Sequence, residues 1–258
     1  MQNKANKTSL DNKVEFNYIG QVHSPYKEKF AIPRQPGLVS AAKGTITLTG
    51  DANNSELVRE LAEFSHIWVL FVFHGTQEQG WKPLVRPPRL GGNKKIGVLA
   101  TRSTFRPNPI GMSVVKLESI VTEDKQVILH ISGIDLLDQT PIIDIKPYVP
   151  YSDSLPTAQA GFAQSPPEIS LSVTFSDMAK KSLIEEAKEY PELANLITQV
   201  LCQDPRPAYK QNKLDTKLYG MRLYGFNIVW QMQSLSCLLV IEIVKQSPFS
   251  DDATEKNR

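Results

Sequence analysis

The sequence predicts a mainly β protein, in which an antiparallel β-barrel is followed by a small α+β domain. Three observations predict this fold class. Short segments of alternating apolar and polar residues recur through the first part of the chain, with turn residues between them. Strong helical periodicity is concentrated after residue 175. The regular alternation of strands and helices that is typical of parallel sheets is absent from the sequence, so a barrel or sandwich is expected.

The chain has 258 residues, which is enough for one large domain or two modest ones at ~150 residues per domain. A polar, proline-containing stretch marks a change of composition near the middle. The predicted organisation is a disordered tail at 1–15, a barrel domain at 16–152, a linker at 153–167, an α+β domain at 168–245 and a second disordered tail at 246–258.

The predicted elements of the first domain begin with a strand at 16–23, with Phe16, Tyr18 and Val22 facing inward. After a proline-rich loop and a strand at 44–48, Ser55 is expected to cap a helix. Residues 66–73 form a nearly continuous apolar run, which predicts a strand buried on both faces. The remaining predicted strands are 112–121, 126–132 and 142–146, with a hairpin turn at Glu123 and Asp124.

The second domain is expected to contain two helices between strands. Ser176 is a suitable cap for the first helix, and Pro191 suits the first position of the second. The predicted elements are a strand at 168–175, helices at 176–190 and 191–203, and strands at 220–232 and 237–244.

Composition points to a reduced, cytoplasmic protein. The only two cysteines, Cys202 and Cys237, lie in apolar runs and are expected to be buried free thiols. The N-terminus lacks the apolar segment of a secretion signal. The longest apolar run is far shorter than the ~20 residues of a membrane helix, so no membrane association is expected.

Positive charge is concentrated in residues 79–117, which hold eight lysines and arginines and no aspartate or glutamate. The rest of the chain has 21 basic and 27 acidic residues. Five prolines stiffen the same stretch, and preplaced basic donors bind anions at a low ordering cost. The stretch therefore predicts a phosphate or carboxylate site, although a solvated basic face would have the same composition.

Candidate chemistry is carried by a few side chains. His74 ends the apolar strand beside Gly75, a position from which sheets commonly present groups to ligands. Asp135 and Asp138 lie in a turn that could hold ribose hydroxyls or an ammonium, or could bond only its own backbone. The histidines and cysteines do not have the spacing of metal ligands, so no metal is expected. The sequence motifs of common nucleotide-binding sites are also missing.

Stiff loops offer groups that could recognise a nucleic acid. In RPNPIG, at 106–111, two prolines flank Asn108, whose amide is free to read a polar edge. Arg102 and Arg106 could form a fork for a phosphate or carboxylate. In the second domain, DPRPAYK at 204–210 is a similar arginine-bearing loop. Phe105 and Tyr209 provide rings on which a base could stack.

These motifs resemble one known family, the TsaA-like proteins, whose bacterial members methylate tRNA with S-adenosylmethionine. The resemblance covers the chain from Tyr18 to about Val244. It is carried by SPYKEKFAIPRQPGLV, FSHIWVLFVFHG, VRPPRLGGNKKIGVLATRSTFRPNPIGMSVV, DLLDQTPIIDIKPYVPYSDS and DPRPAY.

The resemblance implies a dimeric antiparallel barrel that holds the methyl donor near the dimer crevice. It also implies the reaction, methylation of N6 of N6-threonylcarbamoyladenosine at tRNA position 37, next to the anticodon. The positions it implies for donor binding are Gln35, Pro36, Gly37, His74, Gly75, Arg102, Met112, Asp135, Leu136, Leu137 and Asp138.

Two hypotheses follow from combining the resemblance with the residues. Asp138 or His74 is a candidate base for the acceptor nitrogen. The basic and polar loop residues are expected to bind the anticodon arm: Arg86, Arg89, Lys94, Lys95, Arg106, Asn108, Arg206, Tyr209 and Lys210. The alternatives are a tRNA- or nucleotide-binding module without turnover, and a hydrolase using Asp135, Asp138 and His74.

Overall fold

The computed structural model describes residues 14–167, 171–207, 210–211 and 213–246. Six strands of the first domain close into an antiparallel barrel in the order β1-β2-β7-β6-β3-β8, and two short strands pair outside it. The strands are β1 (Gly20–His23), β2 (Lys43–Leu48), β3 (His66–Val72), β4 (Leu84–Val85), β5 (Ile96–Gly97), β6 (Ile110–Glu123), β7 (Gln126–Ser132) and β8 (Pro141–Pro147).

Alternation of apolar and polar side chains explains the barrel. β1, β3, β7 and the first half of β6 bury every second residue in a common interior, as period-two patterning requires. Single 3₁₀ turns join these strands where the chain changes direction. They lie at Lys29–Ala31, Gly50–Ala52, Ser55–Val58, Leu61–Glu63, His74–Gln79, Pro88–Leu90 and Val98–Ala100, with another in the linker at Gly161–Ala163.

The helix predicted after Ser55 is wrong. Two 3₁₀ turns stand in its place, and Asn54, not Ser55, caps the first by accepting the Glu56 N–H at 2.9 Å. Glu60 has a left-handed backbone with φ of 65° and separates the two turns. Leu57 is 64% exposed, so the apolar spacing does not correspond to a buried helical face.

Two predictions about burial in the barrel are also wrong. β3 is buried on one face only, because Ile67, Val69 and Phe71 are buried while the residues between them are half-buried. Phe16 and Tyr18 precede β1 and are 61% and 53% exposed, so they do not face inward. Val22 is fully buried, as predicted.

The β6–β7 hairpin turns one residue later than predicted. Asp124 and Lys125 both have positive φ, at 49° and 66°, which gives the backbone twist that suits a two-residue hairpin loop. β6 is also longer than predicted, since it begins at Ile110. Its first residues therefore extend the barrel into the basic stretch.

The C-terminal domain packs helices on a four-stranded sheet of order β10-β11-β12-β9, in which β9 is parallel to β12. Its elements, with one short helix in the linker region, are α1 (Pro150–Asp153), β9 (Ser172–Phe175), α2 (Asp177–Glu186), α3 (Leu193–Leu201), β10 (Tyr219–Leu223), β11 (Phe226–Met232) and β12 (Cys237–Lys245).

Ser176 caps α2 as predicted, and its hydroxyl accepts the Ala179 N–H at 3.1 Å. The single strand predicted at 220–232 is instead two, because the chain turns at Tyr224, where φ is 52°. α3 begins at Leu193, after Pro191. Cys202 and Cys237 are unpaired but only partly buried, which corrects the expectation of buried thiols.

The two domains are joined by main-chain contacts. Tyr26, which is fully buried, forms an isolated β-bridge with Leu223. The Tyr224 N–H donates to the Pro25 carbonyl at 2.8 Å. In addition, Gln199 of α3 accepts the Ala41 N–H at 3.1 Å. The barrel loop after β1 is therefore held between the barrel and the second domain.

The predicted tails lie almost wholly outside the described residues; Val14, Glu15 and Gln246 are described. Residues 168–170 of the predicted strand also lie outside them. Within the part of the chain that is described, no helix has the length and apolarity needed to span a bilayer.

Candidate active site

A cavity of about 1050 Å³ lies where five segments of the chain meet. These segments are the loop after β1, the end of β3 with the turn that follows it, the RSTFRPNP loop of the basic stretch, the start of β6 and the loop between β7 and β8. Concave sites of ~300–1,000 Å³ commonly hold a small ligand. The volume at the upper end of this range leaves room for a donor and part of an acceptor.

A pair of side chains links the first and third of these segments. Arg102 donates from one terminal nitrogen to the Gln35 side-chain oxygen at 2.7 Å. Both residues line the cavity. Within the described part of the chain, the other donors of this exposed guanidinium have no hydrogen-bond partner, and a planar fork is suited to a carboxylate or phosphate.

Two glycines hold the Gln35 loop against the loop that carries Asp135. The Gly37 N–H donates to the Gly133 carbonyl at 2.8 Å. Both glycines have positive φ, of 78° and 70°, and a Cβ on Gly133 would lie 3.5 Å from the Gly37 Cα. Glycine suits both positions because a side chain makes positive φ sterically unfavourable.

Asp135 is the only carboxylate among the described residues that line this cavity. Its Oδ1 accepts the Ser113 hydroxyl at 2.6 Å, and Ser113 is 2% exposed. Burial raises the pKa of Asp135 to about 6, while the Ser113 hydrogen bond, its own backbone N–H and the Arg102 charge act in the opposite direction. The carboxyl group is therefore close to its titration point near neutral pH.

Four positively charged side chains also line the cavity: Lys29, Arg34, Arg102 and Arg106. His74 lies near Lys29, and burial, more than that neighbouring charge, lowers the pKa of its imidazole, so the ring is neutral at pH 7. Arg106 donates to the Thr101 carbonyl at 3.1 Å, which secures the loop. The opposing wall is apolar and contains Phe71, Phe73 and Ile110.

Eight of the eleven residues predicted to bind the donor line the cavity. They are Gln35, His74, Gly75, Arg102, Met112, Asp135, Leu136 and Leu137. Pro36 and Gly37 are part of the adjoining loop. Asp138 faces elsewhere: its two carboxylate oxygens accept the Ser24 N–H at 2.8 Å and the Lys27 ammonium at 2.5 Å.

The residues predicted to bind tRNA are divided among different places. Arg106 and Asn108 line the cavity. Arg89 lines a second cavity of about 620 Å³ between the domains, and it donates to the Ser165 carbonyl. Arg86, Lys94 and Lys95 are exposed, so they are available to a phosphate backbone.

The contacts of Arg206 argue against the prediction that its guanidinium binds tRNA. The side chain is 1% exposed, and it donates through Nε and a terminal nitrogen to both oxygens of Asp204 at 2.7 Å. Its other terminal nitrogen donates to the Lys213 carbonyl. This buried pair fixes the loop. Lys210 is held by Asp215 at 2.6 Å, and Tyr209 lies outside the described residues.

Sequence reasoning did not identify several residues that the fold brings to the cavity, notably Lys29, Arg34, Ser113 and Thr140. Ser113 carries a signal that could have been used. It occupies an inward position of β6 between buried Gly111 and Val115, and a polar residue at such a position needs a partner. Lys29 and Arg34 lie in a loop, where spacing gives no comparable signal.

The residues present fit S-adenosylmethionine. An aromatic and aliphatic wall suits an adenine ring, and the Arg102 fork suits a carboxylate. Among the described residues, no group of three or more histidine, cysteine, aspartate or glutamate side chains is arranged to hold a metal ion.

Comparison with known proteins agrees with this architecture. The family model described as the tRNA-methyltransferase O N-terminal domain matches residues 21–154, and the TrmO C-terminal domain model matches residues 168–246. Among solved structures, TrmO from Pseudomonas aeruginosa is similar with a TM-score of 0.75 and 37% identity, over 90% of this chain and 99% of that chain.

Curated relatives extend the similarity. A protein of Escherichia coli strain K12 named tRNA (adenine(37)-N6)-methyltransferase is 52% identical over 218 residues, which are 84% of this chain and 93% of the relative. A protein of the same name from Eikenella corrodens is 48% identical, over 68% of this chain and 95% of the relative. Since both family models match in order and together span most of the chain, this chain belongs to the tRNA-methyltransferase O family.

Proposed function

We propose that this chain transfers a methyl group from S-adenosylmethionine to N6 of adenine 37 in tRNA. The finer proposal is that the acceptor is N6-threonylcarbamoyladenosine. The observation that carries the proposal is the cavity, which gathers a buried carboxylate, an arginine fork and an apolar wall from five segments. A relative that is 52% identical to this chain, matched over 93% of its own length, is named for methylation of the adenine at position 37.

The donor supplies an electrophilic methyl group on a sulfonium, and the chain's task is to hold it in line with the acceptor nitrogen. We propose that seven of the eight cavity-lining residues named above contact the donor, and that the eighth, Asp135, faces the acceptor. Pro36, Gly37 and Asp138 position the surrounding loops: Gly37 through its bond to Gly133, and Asp138 through Ser24 and Lys27. Alignment of this kind supplies much of the acceleration of a displacement.

Recognition of tRNA is proposed to combine the cavity with the exposed part of the basic stretch. Arg106 and Asn108 are at the cavity, where an extruded base would enter. Arg86, Lys94 and Lys95 are exposed and available to phosphates of the anticodon arm, with Arg89 at the second cavity. Such contacts position the nucleic acid without reading its sequence.

The names of the relatives favour an enzyme over a module that binds tRNA without turnover. The hydrolase alternative requires Asp135, Asp138 and His74 to act together. This is disfavoured because Asp138 does not line the cavity that contains the other two, and its oxygens are already engaged.

We also propose that the chain works as a homodimer in the cytoplasm, and that its domains are 16–152 and 168–245. Three large apolar side chains of the basic stretch, Trp81, Leu84 and Leu99, are more than half exposed and support a protein contact. The two free thiols support a reducing compartment. The family-model boundaries near residues 154 and 168 support the domain division.

The function is tested with purified protein, methyl-labelled S-adenosylmethionine and two tRNA preparations, one with the threonylcarbamoyl group at position 37 and one without it. We expect label in the first tRNA, and a mass increase of one methyl group confined to nucleoside 37. Arg102→Ala should reduce transfer at least tenfold because it removes the fork and releases Gln35. Donor binding without label in either tRNA would contradict the proposal.

A further inference from the structure

We propose that Asp135, oriented by Ser113, is the base that receives the proton from the acceptor nitrogen during methyl transfer. This inference rests on the proposed function, since it requires an adenine N6 as acceptor. It replaces Asp138 and His74, the two candidate bases suggested by the sequence, with a residue that the family resemblance assigned to donor binding.

The reaction needs a proton acceptor. The lone pair of an exocyclic adenine nitrogen is delocalised into the ring, so the nitrogen is a weak nucleophile until its N–H bond weakens. As the new N–C bond forms, the C–S bond breaks and its electron pair remains on sulfur. The N6 proton passes to the carboxylate, which becomes a neutral carboxylic acid and later returns the proton to water. Charge and atoms balance without another reactant.

Geometry places one carboxylate where this proton must go. Asp135 lines the cavity, whereas Asp138 does not. The Ser113 hydroxyl binds Oδ1 at 2.6 Å, and Ser113 is itself buried within β6. Besides this hydroxyl, the hydrogen-bond donor near the carboxylate in the described chain is the N–H of Asp135 itself. The carboxylate is thus held in one orientation while retaining capacity to accept another proton.

The charges around Asp135 suit a base. No lysine, arginine or histidine among the described residues forms an ion pair with it, in contrast to the Lys27 ammonium on Asp138. The titratable groups that face it are Arg102 from the basic stretch and the buried Tyr26 hydroxyl from the loop after β1. A carboxylate that burial has made more basic is still mostly ionised at pH 7, which is the best compromise for proton abstraction.

The other two candidates fit the role less well. Both oxygens of Asp138 already accept hydrogen bonds that fasten its loop. Protonation of His74 would place a second positive charge near Lys29, and burial already disfavours the imidazolium. Protonation of Asp135 instead removes a buried charge, so burial favours the neutral carboxyl group that the proton transfer produces.

The experiment compares Asp135→Asn, Ser113→Ala and the control Asp144→Asn in single-turnover methylation with saturating donor. Asp144 lies on β8, forms an ion pair with Lys146 and does not line the cavity. We expect Asp135→Asn to reduce the rate by at least 100-fold, in the range of general-base catalysis, with the dissociation constant of the donor changed less than threefold by calorimetry. Asp144→Asn should match the unsubstituted chain.

The pH dependence distinguishes a base from a residue that only supports structure. The single-turnover rate of the unsubstituted chain should rise with an apparent pKa near 6, and Ser113→Ala should move this midpoint upward, because the hydroxyl lowers the pKa of Asp135. Infrared spectra without tRNA should show a protonated carboxyl band that disappears over the same pH range. The band should be absent from Asp135→Asn.

Three outcomes would overturn the assignment: an Asp135→Asn rate within tenfold of the unsubstituted rate, donor binding weakened more than tenfold by that substitution, or an infrared band that Asp135→Asn retains. Failure of the proposed function is distinguishable from these. In that case the unsubstituted chain would methylate no tRNA, while the infrared titration would still report the carboxyl group.

Discussion

Arg102 and Gln35 are 67 residues apart in the sequence, and their side chains meet at 2.7 Å beside the cavity. Asp135 and Ser113, 22 residues apart, form a second such pair at 2.6 Å. At the scale of single residues, the site is therefore a set of pairings between distant segments that the barrel brings together.

Tyr26 is a single residue whose burial is unfavourable for stability. Its side chain is fully buried where the two domains meet, and its hydroxyl has no hydrogen-bond partner in the described part of the chain. Burial raises the pKa of this phenol, with a smaller contribution from the negative charge of Asp135, so the group is neutral throughout the physiological pH range.

Tyr26→Phe is therefore expected to stabilise the protein by about 1 kcal/mol, because it removes an unpaired buried polar group while keeping the ring. Chemical denaturation at pH 7 measures the free energy of unfolding. Tyr151→Phe is a suitable control, since Tyr151 is 92% exposed and its substitution should have little effect. A loss of stability in Tyr26→Phe would indicate a partner for the hydroxyl, such as an internal water.

Among the elements, the loop from residue 24 to residue 39 has the largest influence on the site. It supplies Lys29, Arg34 and Gln35 to the cavity, and it is anchored at Asp138, at Gly133 and at Tyr224 by hydrogen bonds. Its length and prolines predicted a functional loop. Its anchors could not be predicted, because each one lies more than 90 residues away in the sequence.

Gly37→Ala should move this loop. The φ of 78° at Gly37 is unfavourable for alanine by about 1–2 kcal/mol, although a Cβ there would meet no atom within 4 Å. We expect donor affinity to fall three- to tenfold, as measured by calorimetry, because Gln35 and Arg102 lose their relative position.

Gly97→Ala provides a matched control for the loop substitution. A Cβ at Gly97 also has open space, and the φ of Gly97 is negative. Its affinity for the donor should be unchanged. Equal affinities for the Gly37 and Gly97 variants would show that the loop conformation does not depend on glycine at position 37.

For the whole molecule, the uneven distribution of charge is the main electrostatic feature. The net charge is only +2, yet the basic stretch holds eight cations without an acid. The structure divides this set: Arg102 and Arg106 border the cavity, while Arg86, Lys94 and Lys95 are exposed outside it. The exposed cations are the ones expected to control the salt dependence of tRNA binding.

A triple Arg86→Ala, Lys94→Ala, Lys95→Ala variant should weaken tRNA binding and reduce the slope of log K against log salt by up to about 2–3, at ~0.9 per lost phosphate contact. Filter binding across a range of salt concentrations measures both effects. Donor affinity should be unchanged. Lys180→Ala with Lys181→Ala, on the exposed face of α2, is the control. An unchanged slope in the triple variant would exclude these residues from the phosphate contacts.

The sequence by itself determined the mainly β class, the order of most strands, the α2 cap at Ser176 and the concentration of charge in residues 79–117. These properties depend on local periodicity and composition, which a single sequence displays. Eight of the predicted donor-binding positions also line one cavity, because the motifs that carried the family resemblance lie in loops at the same site.

Only the tertiary structure decided which polar residues are available for chemistry. In the sequence, Arg206 looks as suitable for binding as Arg106, and Asp138 looks as suitable as Asp135. In the structure, however, the Arg206 guanidinium is paired with Asp204. The Asp138 carboxylate accepts hydrogen bonds from Ser24 and Lys27. The helix predicted after Ser55 failed for a similar reason, since two of its apolar residues, Leu57 and Phe64, are 64% and 37% exposed. Burial and hydrogen-bond partners arise from contacts between distant segments, and those contacts exist only once the barrel has closed.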